Sequence, residues 1–390
     1  MKTLTSAAIG LSVAFAGVAR GGHPIPAGRC PTEAARITDA QRGAPPVIQL
    51  AILLDTSNSM DGLIEQARSQ LWKVVNELSG ARRFGRPAEL SVALYEYGNN
   101  RIAAGQGYVR QVLPFTTDLD RLSERLFALT TLGGEEYCGT AIQAALDQLQ
   151  WSPSPADLKV VFIAGNEPFS QGPVDYRRAC ARARSKGIVV NTVHCGPRHD
   201  GERRGWRDGA AMAYGLFSAI DQDRPVEHVA APQDQEIARL GVELNETYLP
   251  FGTRGQTGQT RQEAQDDNAA KSGAGSATHR AVTKANRLYS NAAWDLVDAV
   301  GQSAVDLQDL KAADLPAEMQ GLSVAQRKTL IEAMAKERGR IQERINELNR
   351  DRSEYVAQVR RAKIGADDSL DAVMTGALRR QAACSGIELQ

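Results

Sequence analysis

Short, unbroken apolar runs alternate along the first half of the chain with segments whose apolar residues recur every three or four positions. VIQLAILL (47–54) is almost continuously apolar, as a strand buried on both faces must be. Leu63, Ala67, Leu71, Val74, Val75 and Leu78 then fall at helical spacing. ELSVALYEY (89–97) and YVRQVLP (108–114) read as strands joined by a Gly/Asn-rich turn region. Leu119, Leu122, Leu126 and Leu129 predict a helix with Asp118 as its N-cap, and Ile142, Leu146 and Leu149 predict the next. LKVVFIA (158–164) and IVVNTVH (188–194) are two more core strands, separated by a helix over 173–186 that ends at Gly187. A short helix near 207–214, a strand GLFSAI (215–220) and a helix carrying Ile237, Leu240, Leu244 and Tyr248 complete the series. Buried strands alternating with amphipathic helices predict an α/β fold over 47–250, a doubly wound, mostly parallel sheet with helices on both faces.

The flanks carry different patterns. Residues 1–20 place one early lysine before an apolar, small-residue run that ends in small-residue cleavage positions. That pattern predicts a secretory signal peptide and export to the periplasm or the extracellular space, because the run is shorter than the ~20 residues a spanning helix needs. Residues 21–46 are rich in Gly, Pro and Ala and read as a linker, and the polar stretch 251–283 reads as a flexible linker. The remainder, 284–390, is a predicted helical region. Within it Ser323 and Gln326 form a capping box before a long helix over about 324–362. Met334, Ile341, Leu348 and Tyr355 repeat every seven residues beside Ile331, Ile345 and Val359, with Arg338 and Arg352 interrupting that second stripe. Such a heptad fits a coiled coil that self-associates; the preferred alternative is one helix of an intramolecular bundle packing on Trp294. One more short helix is expected in 367–390, ending near Cys384.

Composition removes whole classes of function. Of 390 residues 42% are hydrophobic and 24% charged, which excludes a disordered chain. Lys plus Arg equals Asp plus Glu at 46 each, so there is no basic footprint for nucleic acid and no polybasic membrane anchor. No later stretch is apolar enough to span a bilayer in the mature chain. Cys30, Cys138, Cys180, Cys195 and Cys384 are an odd count with no metal-site spacing. Export permits one or two disulfides, with Cys138–Cys180 the expected pair and buried free thiols the alternative.

In an open α/β sheet ligands bind beyond the carboxyl ends of the strands, so the residues directly after the apolar runs carry the chemistry. After the first run come Asp55, Ser57 and Ser59 at alternate positions. One carboxylate and two hydroxyls suit a hard cation such as Mg²⁺ (or Mn²⁺/Ca²⁺), although the same residues also serve simply to cap a helix. At this point the sequence resembles the von Willebrand factor type A (VWA) family, over about 47–250. The resemblance rests on the D-x-S-x-S turn, the order of elements and GGEEYCGTAIQAAL (133–146). It implies a metal-ion-dependent adhesion site holding Asp55, Ser57 and Ser59, with Thr140 matching the threonine of the second loop. The third loop departs from the family: VVFIAGNEPF places Gly165 where an aspartate is expected, with Asn166 and Glu167 as substitute oxygen donors. Glu135 and Glu136 are the other source of charge, against a plain role as solvated residues.

The expected function is therefore an exported module that recognises a protein or peptidic ligand through a cation. The alternatives are a metal-dependent hydrolase and a structural envelope protein with a degenerate site. His194-Cys195-Gly196-Pro197-Arg198-His199-Asp200 is the one cluster that invites catalysis. It matches no zinc spacing, and adjacent strand residues point to opposite faces, so no catalytic residue is assigned.

Overall fold

The computed structural model describes residues 44–224, 228–273, 275–362 and 369–389. The expected signal peptide, most of the 21–46 linker and Cys30 lie outside them. The chain begins with β1 (Val47–Asp55), α1 (Asp61–Ser79), a small hairpin β2 (Arg82–Arg83) and β3 (Arg86–Pro87), β4 (Glu89–Tyr97), β5 (Val109–Thr116), α2 (Leu119–Phe127) and α3 (Cys138–Gln148). It continues through β6 (Leu158–Gly165), α4 (Tyr176–Ser185), β7 (Ile188–Cys195), α5 (Arg198–Arg203), α6 (Trp206–Met212), β8 (Phe217–Ile220) and α7 (Asp234–Glu243). The sheet has the order β5-β4-β1-β6-β7-β8, and only β5 runs antiparallel to its neighbour. This is the predicted doubly wound, mostly parallel sheet. Asp118 caps α2 as expected, accepting from the Arg121 amide at 2.9 Å.

Alternation along the central strand sets the two layers. Ile48, Leu50 and Leu54 face a core built with α1 and α2, whereas Ala51 and Leu53 face one built with α3, α4 and α6. β1 pairs with β4 on one side and β6 on the other. The chain therefore reverses direction across the sheet at β1, and a crevice opens at the carboxyl ends of β1 and β6.

The polar stretch 251–283 is not the flexible linker its composition suggests. It forms α8 (Gly255–Lys271) and α9 (Ser276–Lys284), followed by α10 (Leu296–Gly301), α11 (Val324–Ala362) and α12 (Leu370–Cys384). Several of its polar side chains are buried and paired. Arg280, 2% exposed, lies 2.6 Å from Asp120 and 2.8 Å from Asp266 and stacks over Trp72. Lys284 joins Asp266 at 2.7 Å. Gly258 is a packing residue, since a Cβ there would sit 2.2 Å from the Trp294 ring.

The capping box of α11 forms, with the Ser323 amide donating to Gln326 at 2.9 Å. The heptad stripe is largely consumed inside the chain. Ile331, Ile341, Ile345 and Leu348 are buried, and the latter three share one core with Trp294 and with strand residues of β1. Arg338 and Arg352, which break the apolar stripe, are buried ion-pair partners of Asp295 and Asp298 and of Asp234 respectively. The expected Cys138–Cys180 bridge is absent. Both are free, buried thiols packed as small apolar groups, as is Cys195, whereas Cys384 is disulfide-bonded. No described helix is long and apolar enough to cross a membrane.

Candidate functional site

Asp55 is the last residue of β1 and is fully buried. The Ser57 amide donates to its Oδ1 at 2.8 Å, while Oδ2 has no hydrogen-bond partner. Burial raises its carboxyl to about 7, Ser57 opposes that shift, and Glu136 and Glu167 add to it. The turn after β1 is held from both sides, because the Thr56 amide donates to the Tyr97 carbonyl at 2.8 Å and the Leu132 amide to that of Thr56 at 2.9 Å. Ser57 and Ser59 follow with their hydroxyls 3.4 Å apart. Asn166, just past β6, donates from Nδ2 to the Ser59 hydroxyl at 3.0 Å and keeps Oδ1 buried and unpartnered. Thr140, in the first turn of α3, likewise has a buried hydroxyl without a partner.

The structure thus gives Asp55, Thr140 and Asn166 each a buried oxygen without a partner. Unpaired buried oxygens cost free energy, and a cation or water is the usual remedy. Glu167 differs from them, because its carboxylate lies 3.3 Å from Arg204, which also donates to the Asn166 carbonyl at 3.2 Å. Glu135 is exposed and accepts from Gln171.

Glu136 is the residue the sequence reading undervalued. It is buried, not solvated, and its carboxyl is raised to about 7, first by burial and further by Glu167 and Glu135. A Cβ built on Gly98 would lie 2.9 Å from both the Asp55 Oδ1 and the Glu136 Cγ, so one glycine separates the two carboxylates. No sequence signal separates Glu136 from Glu135; the orientation of the loop does.

Gly165 has a steric cause. A Cβ there would sit 2.5 Å from the Tyr97 hydroxyl and 2.8 Å from Asp55 Oδ2. That hydroxyl donates to the Ala164 carbonyl at 2.9 Å. The room an aspartate would need is filled by Tyr97, and the second buried carboxylate comes from the second loop instead.

Among the described residues no group of three or more His, Cys, Asp or Glu side chains is arranged to hold a metal. The donor set here is instead one carboxylate with hydroxyl and amide oxygens, which fits a hard cation that retains water better than zinc.

The 194–200 cluster does not assemble. His194 is buried against Trp206, with ring centroids 5.6 Å apart, and burial lowers its imidazole to about 4. Cys195 is buried in the core on the opposite face of the sheet, and His199 is exposed on α5.

A model of the von Willebrand factor type A domain matches residues 49–207. Among solved structures, BatB from Bacteroides thetaiotaomicron is 18% identical, over 45% of this chain and 90% of that one, with a TM-score of 0.34. The SpRpn10 VWA domain is 15% identical, over 44% of this chain and 87% of that one, with a TM-score of 0.33. Proximal thread matrix protein 1 of the mussel byssus, with a zinc-occupied MIDAS motif, is 12% identical over 46% of this chain but 43% of its own, with a TM-score of 0.35. No curated protein matches.

Proposed function

Residues 49–207 form a von Willebrand factor type A domain, and from that premise we propose that the protein is an exported binding module whose divalent-cation site recognises a protein or peptidic ligand. The observation that carries this reading is the set of unpartnered buried oxygens on Asp55, Thr140 and Asn166, from the end of β1, the first turn of α3 and the turn after β6. With Ser57 and Ser59 they would hold Mg²⁺, Mn²⁺ or Ca²⁺. When bound, such an ion offers a coordination position that a carboxylate of the partner can take from water.

The chain's own residues have defined parts. Asp55 supplies the buried charge, and the Ser57 amide orients its carboxylate. Asn166 fixes the Ser59 hydroxyl. Glu136, across Gly98 from Asp55, adds a second carboxylate beside the site. Glu167, engaged by Arg204, belongs to the rim.

The test uses the full chain. Isothermal titration with Mn²⁺ and Mg²⁺ should give one binding event that Asp55→Ala abolishes while the circular dichroism spectrum stays native. Retention of cation uptake by Asp55→Ala would sink the proposal.

A further inference from the structure

Ser59 offers a hydroxyl to the candidate cation site, yet it is exposed and stands in the single 3₁₀ turn Asn58–Met60, which no side chain caps. A turn of that kind is weakly held by its own hydrogen bonds. Two side chains from other loops hold it. Asn166 donates to the hydroxyl, and Gln222 donates from Nε2 to the Ser59 carbonyl at 2.5 Å. Gln222 stands in the turn 221–224 that leaves β8. That turn rests directly on the start of α1, because a Cβ on Gly62 would lie 2.5 Å from the Gln222 carbonyl oxygen and 3.1 Å from Asp223 Oδ1. Any residue larger than glycine at 62 would lift the turn, and Gln222 with it, away from Ser59.

One buried glutamine fixes the turn in place. Gln66 of α1, 4% exposed, directs its Nε2 at three carbonyls: Asp221 at 3.0 Å, Gln222 at 3.1 Å and Arg224 at 3.3 Å. Its Oε1 accepts from the Leu370 amide at 3.1 Å. Leu370 is the first residue of α12, whose N-cap Ser369 makes no side-chain cap bond. The first amides of a helix have no partner within it, so Gln66 supplies that cap. A buried amide is costly unless both of its ends are bonded, and here one end is bonded to the turn and the other to α12. The contacts thus run in series from Leu370 through Gln66 and the 221–224 turn to Gln222 and Ser59. α12 lies beyond the matched residues 49–207. Its other end is fastened separately, where Gln381 and Asn191 exchange side-chain hydrogen bonds at 2.6 and 3.1 Å.

Resting on the cation reading above, we propose that Gln66 and Gln222 are positioning residues of the cation site, through which α12 holds Ser59 where a cation can take its hydroxyl oxygen. Each acts through another residue and not as a ligand. Outer residues of this kind set metal affinity by fixing the ligands, typically by a factor of about ten or more.

Isothermal titration of Mn²⁺ into the full chain, beside melts taken without cation, tests this. Gln222→Leu should weaken Mn²⁺ binding about tenfold. Its melting temperature should stay near wild type, because it removes one exposed hydrogen bond. Gln66→Leu should weaken binding as much and also lower the melting temperature. Combining the two should weaken binding little further, because they interrupt one series of contacts. Gln381→Leu breaks the far attachment of α12 and should lower the melting temperature without changing Mn²⁺ affinity. Full additivity of the Gln66 and Gln222 variants overturns the proposal. So does an equal loss of affinity in Gln381→Leu, since general loosening would then suffice. Wild-type uptake that Asp55→Ala abolishes but Gln222→Leu leaves unchanged refutes the positioning alone, with the cation reading intact. No uptake by the wild type refutes both.

Discussion

Asp55 and Glu136 each hold a carboxyl raised to about 7 by burial. Between about pH 4 and 7 the cation-free native state therefore binds more protons than the unfolded chain. Its stability falls as pH rises through that window and levels off above it. A cation displaces those protons, so it gains affinity over the same range. The melting-temperature gain from Mn²⁺ should be small near pH 5 and grow towards pH 8. Buried His194 and half-buried His279, lowered by desolvation to about 4 and about 3, impose the opposite slope. Their contribution is lost as pH falls from the ordinary imidazole value towards those folded-state values. The informative quantity is thus the difference between melts with and without Mn²⁺ at each pH. A gain that does not change with pH would contradict the assignment of these carboxylates to the cation. At this scale the place of Asp55, Ser57 and Ser59, in the turn that follows a buried strand, was legible from local periodicity. Burial of Glu136, and the loss of space at Gly165 to Tyr97, were not. Both depend on residues distant in sequence.

The elements that pattern reading recovered are those whose apolar period matches one solvent-facing or one buried stripe. Helices α8 and α9 escaped it because their buried faces are polar. The buried pair of Arg338 on α11 with Asp295, which caps α10, shows what buried charge contributes in the same helical region. Arg338 stacks over Tyr248 and reaches Asp295, Asp298 and the Thr247 carbonyl at 2.6–2.7 Å. Arg338→Ala would leave Asp295, 0% exposed, without its counter-charge. Urea denaturation should register a loss of roughly 3–5 kcal/mol. Arg344, on the same helix as Arg338, pairs with Glu236 of α7 at the surface, and Arg344→Ala measured in parallel should change stability far less. Equal effects would mean that burial is not what makes the Arg338 cluster matter.

The whole molecule is not an α/β domain with a detachable tail. Residues of β1, α1, α9, α11 and α12 share one apolar core. Gln66 on α1 donates to the carbonyls of Asp221 and Gln222 and accepts from the Leu370 amide, so the site-proximal loop and α12 hang on one side chain. Calorimetry of the full chain should show a single cooperative transition. A fragment ending at residue 250 should bind a hydrophobic dye and lack a sharp melt, having lost the cover over α1. Two separate transitions, or a fragment that melts sharply, would refute this.

By itself the sequence determined the order of strands and helices, the parallel sheet and the cation-ligand candidates after β1, because those follow from local periodicity and from the fixed place of loops in an open α/β sheet. Only the tertiary structure decided which acidic residue is buried at the site, why Gly165 stands where it does, and that the polar stretch 251–283 belongs to the core. Each of these turns on a contact between residues far apart along the chain, where pairing of charges and occupancy of space, rather than hydropathy, settle what is inside.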